Sequence, residues 1–342
     1  MKKLINYLTI LKKLGYSNIN LEKTEETTIL YLNSEDLKSN MVTNIFTGED
    51  LSLKINIDSL LTVIKLIDKN VNKLELSLNS GRLCINNLPV EYFSYETEEK
   101  YFIEKPVDNI TLSTEELDNL IKASSSMYRK KRFKEKFYNI QLRKNIMTLS
   151  NTYSLIKFDT NLSLQDDFHI DLDGNLIKEI LKLKSKSKDL NIYYSEDKII
   201  YEINNIIFEA PKRDDYINMN YFNLRKKIQL TRSIILNRRY YLELFQQTTK
   251  LNKDSLIKIY NKDNKIFITT NKENDIKYEV EANFNIYLET PIVFDFKHLE
   301  GFLKNLKNNN FELKYCSNKN ILGADKLIFK IEDKEYLCIN LG

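Results

Sequence analysis

The chain has 342 residues, of which 42% are hydrophobic and 29% charged, a globular balance in a chain too long for one ordinary core and suited to two or three domains. Its formal net charge is only +4, so overall basicity does not advertise a nucleic-acid partner and any such partner must be argued from where the charges lie. No apolar run approaches the roughly 20 residues that span a bilayer as a helix, so no membrane partner and a cytoplasmic location are expected.

Residues 1–14 are basic and amphipathic but lack the continuous apolar stretch and small-residue cleavage site of a signal peptide, so 4–14 reads as a first core helix. Further helices are predicted at 58–69, with Leu60, Leu61, Ile64 and Ile67 at helical spacing, and at 114–126, with Leu117, Leu120 and Ile121. They continue at 173–185, with Leu176, Ile177, Ile180 and Leu181, at 237–250, and at 296–307, with Leu299, Phe302, Leu303 and Leu306. Short strand-like runs lead into most of them and end in residues able to cap: Asp58, Thr114, Asp173, Asn237 and Asp295. Alternating strands follow each helix, with tight turns at Asn79 to Gly81, Ser195 to Asp197 and Glu332 to Lys334.

The spacing predicts the architecture. The third and fourth helices start at 114 and 173 and the fifth and sixth at 237 and 296, both offsets being 59 residues; the first pair, at 4 and 58, is offset by 54. Repetition at a near-fixed period marks a repeated structural unit. The simplest account is an α+β fold of three similar domains, each of two half-units, over residues 1–107, 108–225 and 226–342.

Groups that could converge on a reaction are scarce. His169 and His298 have no Cys or His neighbour at ligand spacing. The seven glycines form neither Gly-x-Gly-x-x-Gly nor a Gly-Lys-Ser/Thr loop. Cys84, Cys316 and Cys338 form no Cys-x-x-Cys pair and read as reduced core cysteines, so neither metal nor cofactor is expected. Asp166 with Asp167, and Asp214 with Asp215, read as solvated loop residues; a nuclease holding Mg²⁺ on Asp214 and Asp215 is the enzymatic alternative.

Three fragments, in order and at matching places in the repeat, resemble the bacterial DNA polymerase III β subunit family, the β sliding clamps. FYNIQLRKNIMTLSNTYSLIKFDT at 137–160 resembles the segment in which a strand pair ends in Thr-Asp-Gly-His-Arg-Leu; here 150–155 stands in its place and only Leu155 is kept. APKRDDYINM at 210–219 resembles the family's Phe-Pro-Asp-Tyr segment, with Asp215 and Tyr216 kept. EYLCINLG at 335–342 resembles the family's last strand, which closes in Met-Pro-Met-Arg-Leu, with Ile339 and Leu341 in the two apolar places.

The resemblance implies three clamp-type domains, each with two inner helices and outer antiparallel sheets, assembling as a homodimeric ring. It implies no enzyme but a processivity factor for DNA replication, which encircles duplex DNA without regard to sequence. Replicative polymerase and clamp loader would be tethered through short apolar peptide motifs. The DNA-facing cations would be Lys65, Lys69, Lys122, the run Arg129, Lys130, Lys131 and Arg132, then Lys178, Lys182, Arg238, Arg239, Lys304 and Lys307. The peptide groove would be walled by Phe137, Tyr153, Leu155, Met219, His298, Ile339 and Leu341. A repeat scaffold that binds proteins but not DNA is the non-enzymatic alternative.

Overall fold

A computed structural model describes the chain except for residues 26, 68–70, 94–102, 126, 128–138, 151–153, 163, 166–168, 184–188, 213–231, 271–277, 283–287, 289–290, 307, 317–325 and 340–342. Six helical repeats follow one another in three pairs. The first pair runs α1 (Lys2–Lys13), β1 (Asn18–Thr24), β2 (Thr27–Asn33), β3 (Lys38–Thr43), a short β4 (Phe46–Gly48), then β5 (Leu51–Asn56), α2 (Ile57–Leu66), β6 (Leu74–Asn79), β7 (Arg82–Ile85), β8 (Leu88–Pro89) and β9 (Tyr92–Phe93). The second runs β10 (Asn109–Ser113), α3 (Thr114–Ser124), β11 (Asn139–Arg143), β12 (Ile146–Ser150), β13 (Ser154–Asp159), then β14 (His169–Asp173), α4 (Gly174–Ile180) with a 3-10 turn (Leu181–Leu183), β15 (Asp189–Tyr194), β16 (Lys198–Ile203) and β17 (Ile206–Pro211). The third runs β18 (Arg232–Asn237), α5 (Arg238–Asn252), β19 (Leu256–Lys262), β20 (Lys265–Thr270), β21 (Val280–Glu281), then β22 (Ile292–Asp295), α6 (Phe296–Asn305), β23 (Asn310–Cys316), β24 (Lys326–Ile331) and β25 (Lys334–Ile339).

The motif is therefore a leading strand, a helix and three strands. Each helix after α1 starts where its leading strand stops, and at several of them the last extended residue serves as cap. Asn237 accepts from the Tyr240 amide at 2.9 Å, Asp295 from Lys297 at 2.9 Å and Asp173 from Asn175 at 2.8 Å. At α2 the expectation of Asp58 is corrected: β5 runs to Asn56, whose side chain accepts from the Ser59 amide at 3.0 Å. Asp58 instead sits in the first turn, where a carboxylate complements the helix dipole and here pairs with Lys12. Thr114 is likewise the first residue of α3 rather than its cap. Several hairpins close on two successive left-handed residues, Asn86 with Asn87, Asn204 with Asn205, and Asp263 with Asn264, the turn whose twist matches that of paired strands.

The described residues fall into two compact units, Met1–Glu115 with Leu176–Arg213, and Glu116–Asn175 with Asp214–Gly342. The first holds a nine-stranded sheet, β10-β15-β16-β17-β3-β2-β1-β5-β9, and a four-stranded sheet, β4-β6-β7-β8. The second holds an eight-stranded sheet, β14-β11-β12-β13-β25-β24-β23-β18, and a four-stranded sheet, β21-β20-β19-β22. Two rules generate these orders. First, leading strands are exchanged within a pair of repeats: β5 lies on β1, β10 on β15, β14 on β11, β18 on β23 and β22 on β19. Second, third strands meet across pairs, β3 on β17 and β13 on β25, both antiparallel. These two seams fuse strands from different pairs into continuous sheets, so compactness does not follow the period of the repeat.

Among the described residues no strand precedes α1 in the first repeat. The place of a leading strand on β6 is taken by β4, which pairs in parallel through Phe46, Thr47 and Gly48. Gly48 has φ +103°, and a Cβ there would lie 2.1 Å from the Leu76 carbonyl oxygen, so the close approach requires glycine. Cys338 is buried as expected, whereas Cys84 is only half-buried on β7; both are free thiols.

Candidate functional site

The seam between β13 and β25 gathers several of the residues singled out from the sequence. Leu155 faces Leu337 and Ile156 faces Tyr336 in the ladder; the two pairs point to opposite faces of the sheet, and all four residues are buried, so both faces are covered here. The Tyr336 ring packs at a tilt against Phe302 of α6 and edge-on against Phe329 of β24, with centroids 5.8 and 6.1 Å away. Burial holds its phenol well above the usual range, nearby Cys338 adds to this, and a hydrogen bond with the Ser154 side chain opposes it. At the end of the seam Lys157 donates to the Asp333 carbonyl at 3.2 Å. His298, on α6, is half-buried with Nε2 3.9 Å from the Asp295 carboxylate. Ile339 closes β25 opposite Lys326. Phe137, Tyr153, Met219 and Leu341 lie outside the described residues.

The seam in the first unit is built alike. Tyr7 of α1 shares a buried hydrogen bond with Ser39 of β3 at 2.9 Å, and burial raises its phenol pKa far above the ordinary 10.0 despite that bond. Glu209 of β17, also buried, lies 3.7 Å from Lys38 of β3 and 3.2 Å from Lys198 of β16. Each seam therefore has a charged end, Lys157 with Glu335 in one and Lys38 with Glu209 in the other, and its helices meet through a side-chain amide. Asn6 of α1 donates to the Lys182 carbonyl at 3.2 Å, and Asn305 of α6 donates to the Lys122 carbonyl at 3.0 Å.

The predicted cations divide into three groups. Lys65, Lys122, Lys178, Lys182, Arg239 and Lys304 are exposed on helices or helix ends. Three of them hold acidic neighbours on their own helix: Lys122 with Asp118 at 2.9 Å, Lys304 with Glu300 at 2.7 Å and Arg239 with Glu243 at 3.2 Å. Arg238 behaves differently. Its Nε donates to the Asn308 carbonyl at 2.5 Å and its Nη1 to the Leu303 carbonyl at 2.7 Å, so it ties the end of α6 to the start of α5. Lys69, Arg129, Lys130, Lys131, Arg132 and Lys307 lie outside the described residues, as do Asp166, Asp167, Asp214 and Asp215. Sequence reasoning missed Lys13, at the end of α1, which lies 3.9 Å from Glu179 of α4. Its only signal was the basic last turn, Lys12 with Lys13.

Among the described residues no group of three His, Cys, Asp or Glu side chains could hold a metal ion. What the geometry offers is a buried, largely apolar seam with polar groups at its edges, and exposed ammonium and guanidinium groups suited to phosphate.

No family model and no curated protein matches the chain by sequence. Solved structures do match. The DNA polymerase III β subunit of Thermotoga maritima is 12% identical with a TM-score of 0.79, covering 99% of this chain and 97% of that one. The DNA polymerase sliding clamp of Bacillus subtilis is 14% identical with a TM-score of 0.77, covering 100% and 98%. A sliding clamp of Pseudomonas aeruginosa bound to griselimycin is 13% identical with a TM-score of 0.76, covering 99% and 97%. The chain thus has the fold of the DNA polymerase III β sliding clamps over nearly its whole length.

Proposed function

We propose that the chain is the subunit of a DNA sliding clamp: a cytoplasmic, non-enzymatic processivity factor in which two copies close head to tail around duplex DNA and tether the replicative polymerase. The three pairs of repeats are read as its domains, over 1–107, 108–225 and 226–342. One observation carries the reading. Third strands of repeats one and four, and of three and six, are joined within the chain, but those of repeats two and five, β8 and β21, end their sheets among the described residues. By the same rule they should join between copies, twice in a dimer, which closes a ring and leaves neither β8 nor β21 at a free edge.

The surface supports this. Of the eight large hydrophobic residues exposed among the described residues, six belong to repeats two and five: Leu66, Leu78, Phe93, Ile235, Tyr240 and Leu251. Leu66, the tenth residue from the start of α2, is 70% exposed, whereas its counterpart Leu183, tenth from the start of α4 in a repeat whose seam is made, is 2% exposed. Leu251, fourteenth from the start of α5, is 50% exposed, against 4% for its counterpart Met127 after α3.

DNA contact is assigned to the exposed cations Lys65, Lys122, Lys178, Lys182, Arg239 and Lys304, together with the 129–132 run. The apolar peptide motifs of polymerase and loader are assigned to the β13–β25 seam with His298, Ile339 and Leu341. No observation favours a nuclease or a scaffold indifferent to DNA. Light scattering tests the assembly: a mass of twice the 40.6 kDa chain is expected, and a strict monomer across micromolar concentrations contradicts it.

A further inference from the structure

The first unit carries a charge cluster whose composition differs from that of the other exposed cations. Lys13, ending α1, and Lys182, in the turn after α4, both reach the carboxylate of Glu179: Lys13 Nζ lies 3.9 Å away and Lys182 is directly ion-paired. Lys178 is exposed one turn earlier on the same helix. The Asn6 amide bonded to the Lys182 carbonyl at 3.2 Å fixes that turn against α1. Two ammonium groups thus share one carboxylate, and a third, that of Lys178, is near enough to Lys13 to act on its charge. The crowding lowers the Lys13 pKa from its ordinary value: Lys182 is the main cause, Glu179 opposes it, and Lys178 adds to it. In the second unit, by contrast, Lys122 and Lys304 each have a carboxylate of their own, Asp118 and Glu300.

We propose that Lys13, Lys182 and Lys178 form a phosphodiester-binding point at which a backbone phosphate displaces Glu179. The inference rests on the sliding-clamp reading and names residues that meet the DNA within it. In the free chain Glu179 gathers two of the lysines; on the duplex the phosphate takes them over, and the carboxylate remains beside it as a competitor. Ammonium groups satisfied in both states exchange partners with little net change, so the contact is made and broken readily as the ring moves along the backbone. Glu179 is then a brake on affinity, and removing its charge tightens binding.

The test is duplex binding followed by fluorescence anisotropy across a salt series. Glu179→Gln is expected to bind linear duplex roughly two- to fivefold more tightly, the effect of losing one competing surface ion pair. Lys13→Gln is expected to bind more weakly, with a salt slope smaller by about 0.9. Lys13 is solvent-exposed, so this variant keeps its fold, and in its background the gain from Glu179→Gln should shrink. Inorganic phosphate alone, titrated calorimetrically, should give no saturable binding; saturable binding lost in Lys13→Gln would overturn the assignment to nucleic acid. A folded Glu179→Gln protein with unchanged or weaker duplex binding would overturn the competitor role. Failure of the unsubstituted protein to bind duplex even at low salt would instead sink the clamp reading itself.

Discussion

Leu66 offers a sharp test of how the ring closes, because the repeat supplies its own control. The side chain is 70% exposed in the single chain and is assigned to a seam between copies. Fully burying a leucine contributes about 1.5–3 kcal/mol, so covering the exposed part contributes about 1–2 kcal/mol. A head-to-tail dimer contains the seam twice, which brings the loss in Leu66→Ala to about 2–4 kcal/mol of association, a roughly 30- to 700-fold rise in dimer Kd. Leu251→Ala on the facing side should act in the same direction with a smaller effect, since less of it is exposed. Leu183→Ala should do the opposite: its side chain is already buried within the chain, so the substitution costs about 2–5 kcal/mol of folding stability and leaves association alone. Sedimentation equilibrium from nanomolar to micromolar chain reads the Kd, and urea unfolding reads the stability. Unchanged Kd values for both Leu66→Ala and Leu251→Ala would refute the reasoning.

Arg238→Ala should lower stability by about 2–3 kcal/mol, because it removes charge-assisted bonds to the Leu303 and Asn308 carbonyls, and should leave the salt slope of duplex binding unchanged. A drop in slope matching that of Arg239→Ala would return Arg238 to the DNA-facing set. Tyr7 sets an alkaline limit: its phenol pKa is raised in the fold, so its contribution is complete below the ordinary 10.0 and is lost as pH rises above it, when the unfolded chain ionises first. Tyr7→Phe should therefore flatten the fall in urea midpoint between about pH 8 and about pH 11. At the β13–β25 seam, His298→Ala should weaken a polymerase-derived apolar peptide roughly fivefold with the fold intact, whereas Leu155→Ala, fully buried, should cost about 2–5 kcal/mol of stability.

The helices were legible because their information is local. Leu60, Leu61 and Ile64 fall on one face and are all buried, and Asn237 and Asp295 cap the helices they precede. The shift from Asp58 to Asn56 is a matter of where a strand stops, which sequence spacing fixes only to a residue or two. The exchange of leading strands and the pairing of β13 with β25 were not legible, since strand partners far apart in the chain are chosen by packing across the ladder rather than by propensity. The same distance hid the roles of two cations. Arg238 looks like an exposed charge opening a helix until Leu303 and Asn308 are brought beside it, and Lys13 acquires meaning only from Glu179 on another helix. The parallel strand β4 filling the place of a leading strand has no local sign beyond Gly48.

The claim that matters most is topological, and retention on DNA tests it directly. Subunits concentrated in the presence of nicked circular duplex should assemble around it, and the bound fraction can be followed after dilution into moderate salt. The account predicts long retention on the circle and rapid loss once a restriction enzyme linearises it, because a ring held by topology leaves over a free end. Equal lifetimes on circular and linear DNA, governed by salt alone, would contradict it.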